Sequence, residues 1–216
     1  MSSEVSSAGA TRGRPRSDQV DQAILRAASA LLSERGLDAM TIEDVAARAG
    51  VGKSSIYRRW PTKGTLALDA FLDAFLAQQP RVDNGALEDD LREALTLWSA
   101  AVVGTATGRA LVGLIAESQL DEDLARGWIE RVMTPVRAQH RTMVDRAMQR
   151  GEIPADSDVD VIMDLLYGAA YHRLLQGHLA ITSEFIGLVA RMVAQGAKSG
   201  AAESEHAGEQ RIERQH

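Results

Sequence analysis

The sequence predicts an all-α protein, with a small N-terminal helical head and a larger helical body, about nine helices together. Three observations carry this. Apolar residues recur at helical spacing along nearly the whole chain, no segment alternates as a half-buried strand does, and proline is sparse, 5 in 216 residues.

Val20, Ile24, Ala27, Ala28, Leu31 and Leu32 form one helical stripe, so the first helix ends near Gly36. Thr41 caps a short helix over 42–49, and Asp44 three residues on makes a weak capping box. Gly50-Val51-Gly52 interrupts, a second short helix fits Lys53 to Trp60, and Pro61 stops it before Thr62 caps the next. In the body, apolar stripes predict helices over 63–79, 86–103, 108–119, 122–150 (kinked at Pro135), 157–178 and 183–197. Residues 1–17 read as a flexible basic arm, 18–63 as the head, 64–197 as the body and 198–216 as a small, polar, disordered tail.

The composition, 45% hydrophobic and 25% charged, is that of a folded globular chain long enough for a proper core. With no cysteine, disulfide frameworks, zinc fingers and a thiol nucleophile are excluded. No apolar run approaches the roughly 18 residues of a membrane span, and Met1 to Ala10 lacks a signal peptide's apolar stretch, so a soluble cytoplasmic protein is expected. The net charge of −6 is uneven: residues 1–63 carry 10 Lys/Arg against 7 Asp/Glu, and residues 64–216 carry 14 against 23. A basic head on an acidic body points the head toward a polyanion.

Two short helices joined by a glycine turn make a helix-turn-helix. Val45, Ala46 and Ala49 face inward, Gly50 permits positive φ at the turn, and Val51 and Ile56 pack the second helix. Its outward face then offers Lys53, Ser54, Ser55, Tyr57, Arg58 and Arg59, hydrogen-bonding groups for phosphates and base edges. Residues 40–64 read Met-Thr-Ile-Glu-Asp-Val-Ala-Ala-Arg-Ala-Gly-Val-Gly-Lys-Ser-Ser-Ile-Tyr-Arg-Arg-Trp-Pro-Thr-Lys-Gly. This stretch resembles the tetracycline-repressor (TetR) family of transcriptional regulators, and residues 18–75 match the family pattern of helix, helix-turn-helix and a helix opening on lysine.

The resemblance implies an N-terminal three-helix DNA-binding domain and a C-terminal helical domain for ligand binding and dimerisation. It implies that Lys53, Ser54, Ser55 and Arg58 reach base edges or nearby phosphates. Thr41, Tyr57 and Lys63 would bond phosphates, Lys63 at a helix N-terminus whose dipole favours an anion. Gly64 stands where the family usually has an acidic residue, a departure expected to loosen that helix start while leaving the cation. Upstream, Arg12, Arg14 and Arg16 lie in Arg-Gly-Arg-Pro-Arg, which reads either as a minor-groove arm or as a basic tail adding non-specific affinity.

Several patterns carry nothing. Gly50-Val-Gly-Lys-Ser54 resembles the end of a phosphate-binding loop, but that loop's first glycine would be Ala47 and no strand precedes it. His172 and His178 stand six apart, poor spacing for one helix face, and His140, His206 and His216 are scattered, so no metal site, cofactor or enzyme activity is expected.

In the body, the last two helices are apolar over more than one stripe. Ile162, Leu166, Ala169, Phe185, Leu188, Val189 and Met192 are therefore candidates for a homodimer interface that would present two heads to a palindromic operator. Trp98, Leu111, Leu114, Glu117, Met133, Tyr167, Tyr171 and His172 are candidates for a pocket holding an apolar or amphipathic effector, with Arg109 and Arg137 as further polar partners. The function expected is a repressor released by that effector, with a helical protein–protein adaptor as the alternative.

Overall fold

The computed structural model describes residues 14–75 and 82–213, with side chains described for 18–73 and 82–199. The order is α1 (Arg14–Ala39), α2 (Ile42–Ala49), α3 (Lys53–Tyr57), α4 (Lys63–Phe75), α5 (Leu87–Val102), α6 (Ala106–Ser118) and α7 (Glu122–Trp128). A π-helical turn (Ile129–Met133) follows, then α8 (Thr134–Gln149), α9 (Val159–Gln176) and α10 (Ser183–Glu213). Counting α7, the π turn and α8 as one rod, nine helical rods stand among the described residues, with no strand among them.

The local signals act as chemistry requires. Thr41 Oγ1 accepts from the Asp44 amide at 3.1 Å and caps α2. Gly50, at φ 69 and ψ 34, ends α2 in the left-handed region, and the Val51 and Gly50 amides return to the Ala46 and Ala47 carbonyls. α1 is interrupted at Gly36, φ 79 and ψ 175, where the stripe runs out. The irregularity expected at Pro135 lies one turn earlier. Proline offers no N–H to the Arg131 carbonyl, and the chain widens into the π turn, where the Thr134 amide and Oγ1 both reach the Ile129 carbonyl.

At three places the helices differ from the local reading of the sequence. α1 opens at Arg14, inside the segment read as a flexible arm; Arg12 and the side chains of Arg14 and Arg16 lie outside the described residues. α10 continues to Glu213, through the segment read as a disordered tail, whose Ala, Glu, Gln and Arg residues favour helix and which holds no proline. Gly64 does not mark a loose start. It is buried, and a Cβ there would stand 3.0 Å from Leu124 Cδ2; Gly127 meets Leu68 Cδ2 at the same distance. Glycines on both partners let α7 lie close across α4.

Two hydrophobic cores result, and they do not divide at residue 63. One joins Ile24, Leu31, Val45, Ile56, Trp60, Leu66 and Phe71 of α1–α4 to Leu111, Leu114, Leu124, Trp128 and Val132 of α6, α7 and the π turn. The other joins α5, α8, α9 and α10 through Leu91, Leu95, Val144, Ile162, Leu166 and Ala190. Burial of this apolar surface, at roughly 25 cal/mol per Å², is the main source of stability, so head and inner body are held as one unit. Arg150-Gly-Glu-Ile-Pro154 is a structural clasp: Glu152 Oε2 accepts from the Leu87 amide at 2.8 Å, which caps α5, while Arg150 sits 3.8 Å from the fully buried Asp90. Among the described residues no single helix is long and apolar enough to cross a membrane.

Candidate nucleic-acid interface and ligand cavity

α3 is five residues long, pinned by the fully buried Ile56, so its other side chains point away from the core. Lys53 and Ser54 are exposed, Ser55 is half-buried, and Tyr57 is half exposed. Arg58 is exposed and makes no ion pair among the described residues. Lys53 Nζ lies 2.7 Å from Glu43 Oε1. That hydrogen bond lowers the Glu43 carboxyl and raises the Lys53 ammonium from their ordinary values. Glu34 likewise accepts from both terminal guanidinium nitrogens of Arg48, at 2.7 and 2.8 Å, and is held low by them. Arg59 turns back to Asp21 and to the Ser55 carbonyl, which fixes it against α1.

Lys63 is placed differently from the expectation. It is half-buried, and its Nζ donates to the Leu37 carbonyl at 3.0 Å, near the end of α1. That carbonyl also takes the Met40 amide at 3.3 Å, so Lys63 ties the start of α4 to the end of α1 and keeps two N–H groups for an anion. Thr41 is exposed at the start of α2, its oxygen occupied as the cap.

The body encloses a cavity of about 270 Å³ at the seam of the two cores. Of the expected lining, Trp98, Leu111, Met133, Tyr167 and Tyr171 meet there. Leu114, Glu117 and His172 do not. Leu114 is fully buried in the core that α6 shares with α1 and α4. Glu117 lies near the α6 end, where its carbonyl accepts the Leu120 and Asp121 amides. His172, about 100° round the helix from Tyr171, is exposed. Its ring lies 4.9 Å from that of His178, because α9 ends at Gly177 and the chain turns back; spacing along one helix did not anticipate this. Among the described residues no three metal-ligating side chains gather.

Phe71, Trp128, Val132, Val136, Arg137, His140, Met163, Asp164 and Gly168 complete the wall. Apolar spacing marks residues such as Val132 and Met163 as core but not as bordering a void, and it gives no signal for Asp164 or Gly168, which are exposed. Trp98 packs against Tyr171 and Tyr167 with ring centres at 5.0 and 6.0 Å, and Phe71 against Trp128 at 5.9 Å. The Tyr167 hydroxyl lies 3.0 Å from His140 Nε2. Burial pulls His140 down to about 4 and pushes Tyr167 and Tyr171 up, so all three are neutral at pH 7. Arg137 pairs with Asp160 at 2.8 Å and with Asp164; burial opposes its charge, but the two carboxylates prevail and raise it. Arg109 donates instead to the Ser33 carbonyl at 2.9 Å, tying α6 to α1.

One carboxylate touches both regions. Trp60, three residues beyond α3 and 6% exposed, donates its indole N–H to Asp69 Oδ2 at 2.8 Å. The other oxygen of Asp69, on α4, takes Arg131 from the π turn. The neighbouring Val132 and Met133 form cavity wall.

On the dimerisation candidates, Ile162 and Leu166 are buried inside the chain's own second core and are unavailable to a partner. The exposed face lies one position round, at Val161 and Leu165 of α9, and is continued by Leu188 and Met192 of α10. Phe185 is half-buried beneath the Arg173 guanidinium, 3.6 Å from its ring centre, and Ala169 and Val189 are half-buried.

A helix-turn-helix head whose core runs into a cavity-bearing helical body is the architecture of a DNA-binding transcriptional regulator. The chain belongs to the TetR family. Residues 24–70 match the family model for bacterial regulatory proteins of the tetR family, and residues 81–193 match that for the tetracyclin repressor-like C-terminal domain. The chain is 37% identical over 165 residues to the uncharacterized HTH-type transcriptional regulator YdeS of Bacillus subtilis (strain 168), covering 76% of this chain and 82% of YdeS. It is 29% identical to the HTH-type transcriptional regulator AqdR of Rhodococcus erythropolis, over 74% of this chain and 76% of AqdR. The crystal structure of the TetR family transcription regulator SCO0332 superposes with a TM-score of 0.72 at 33% identity, covering 82% of this chain and 98% of that one. The family and these relatives are transcriptional regulators, not enzymes.

Proposed function

We propose that the chain is a cytoplasmic repressor that binds a palindromic operator as a homodimer and leaves it when a small apolar or amphipathic molecule fills the cavity. The observation that carries this reading is the pair of contacts on Asp69: Trp60 just beyond α3 on one oxygen, Arg131 beside the cavity wall on the other. A ligand that favours one position of the π turn thereby favours one position of α4 and of the head, and shifts the population between them.

In this reading Lys53, Ser54, Ser55 and Arg58 read base edges or adjoining phosphates, and Thr41, Tyr57 and Lys63 hold the backbone. Arg12, Arg14 and Arg16 add contacts in the minor groove or to phosphates. Lys53 exchanges its Glu43 partner for DNA, a low-cost exchange because both groups are exposed. Four large exposed apolar side chains, Val161, Leu165, Leu188 and Met192, at 52%, 58%, 52% and 63% exposure, support pairing of α9 and α10 with a second copy.

Selection from a random duplex library at several salt concentrations tests the reading. The expected result is an enriched palindrome whose affinity falls linearly in log–log salt, at roughly 0.9 per phosphate neutralised. Binding absent even at low salt, after denaturation and refolding have removed any co-purified ligand, overturns it in favour of an adaptor.

A further inference from the structure

The cavity's lining defines the chemistry of its occupant. On one part of the wall stand Trp98, Tyr167 and Tyr171; on another, Phe71 and Trp128. At about 270 Å³ the cavity falls just under the usual span of small-molecule sites, roughly 300–1,000 Å³, so the occupant is compact.

Charge decides more than size. An anion needs an uncommitted cation, and Arg137, the only Lys or Arg among the described lining residues, already carries two carboxylates. His140 does not replace it, being neutral at pH 7. For a cation, the aromatic faces are attractive, but the only lining carboxylate, Asp164, is bonded to Arg137 and its side chain is 66% exposed. Either charge would leave water for a wall unable to pair it, which costs more than ring contacts return. A neutral ligand meets no such cost. Tyr167 Oη is bonded to His140 Nε2 and keeps one further position: its oxygen accepts from a ligand hydroxyl where Nε2 takes the phenol proton, and its O–H donates to a ligand carbonyl where Nε2 carries the proton.

Building on the reading of this cavity as the effector site, we propose that the effector is a neutral, compact ring compound, about the size of a bicyclic aromatic. It carries one hydroxyl or carbonyl that bonds the Tyr167–His140 pair.

Three probes of nearly equal shape separate the cases: 2-naphthol as the neutral molecule, 2-naphthoate as the anion and N-methylquinolinium as the cation. Each is titrated into the full-length protein at pH 7 by calorimetry, with tryptophan quenching as a second readout. 2-Naphthol is expected to bind at least tenfold more tightly than either ion. Tyr167→Phe is expected to weaken it about fivefold, the factor for one neutral hydrogen bond. Gly168→Leu adds bulk at a wall position where a Cβ meets nothing within 4 Å, and is expected to abolish binding while circular dichroism reports a folded chain.

The proposal is overturned if an ion binds as tightly as 2-naphthol, if 2-naphthol does not bind, or if its binding is indifferent to both substitutions. A winning ion would leave the cavity as an effector site and remove only this ligand class. The repressor reading stands or falls on duplex selection, which none of these outcomes touches.

Discussion

Replacing Asp69 by alanine tests whether Trp60, just beyond α3, depends on the α4 carboxylate that also takes Arg131 beside the cavity wall. The change strands the Trp60 indole N–H, which donates to Asp69 from a residue 6% exposed. A buried donor left unpaired costs about 1–3 kcal/mol. The Arg131 pair is part-exposed, 47% on the arginine and 25% on the aspartate, and adds roughly 0.2–1 kcal/mol. Asp69→Ala should therefore destabilise by about 2–3 kcal/mol, which at this chain length lowers Tm by roughly 4–12 °C. Asp69→Asn keeps an acceptor for the indole and should cost less than about 1 kcal/mol. Urea unfolding of Trp60→Phe, Asp69→Ala and the double variant, at one protomer concentration, closes a double-mutant cycle with an expected coupling of about 1–2 kcal/mol. Strict additivity, or equal losses for Asp69→Ala and Asp69→Asn, would refute the argument that the indole depends on this carboxylate.

Gly108→Ala should unfold or severely weaken the α5–α6 corner, by about 3 kcal/mol or more in urea melts, because a Cβ there would lie 1.8 Å from the Val102 carbonyl oxygen. Thr41→Ala should cost about 1 kcal/mol through the lost cap, and Thr41→Ser should restore most of it. Lys63→Met should lower both the melting temperature and operator affinity, whereas Arg58→Ala should change sequence preference with little effect on stability; duplex selection with each variant checks this. His140 takes a proton near 4 in the folded chain against about 6.5 unfolded, so the unfolded state binds more protons between those values and stability falls as pH drops through that window. From pH 7.5 to 5.0 the loss from this group is about 2 kcal/mol, and His140→Phe should remove that share of the pH dependence of urea unfolding.

The helices, the turn and the family were legible in the sequence because their causes are local. The i, i+3, i+4 stripe of α1 sets which face is buried, Thr41 begins α2 through an atom three residues from its partner, and Gly50 ends it by a conformation other residues avoid. These depend on neighbours in the chain, and so does the outward face of α3 once Ile56 points inward. What tertiary structure decided depends on residues far apart in sequence. The apolar pattern marks Ile162 and Val161 alike as apolar, but only packing against α5 and α10 buries the first and leaves the second on the surface. The bond from Lys63 to the Leu37 carbonyl exists only once α1 lies beside the start of α4, and Gly64 reads as a defect until α7 lies against it. The cavity is the clearest instance: a void belongs to no single helix, and Phe71, Trp128 and His140 border it because α4, α7 and α8 converge where two cores fail to close. Local spacing fixes how each helix is made, because backbone bonds and side-chain stripes repeat within a few residues. The identity of the groups that meet across a gap is set by long-range packing, which no single stretch of sequence contains.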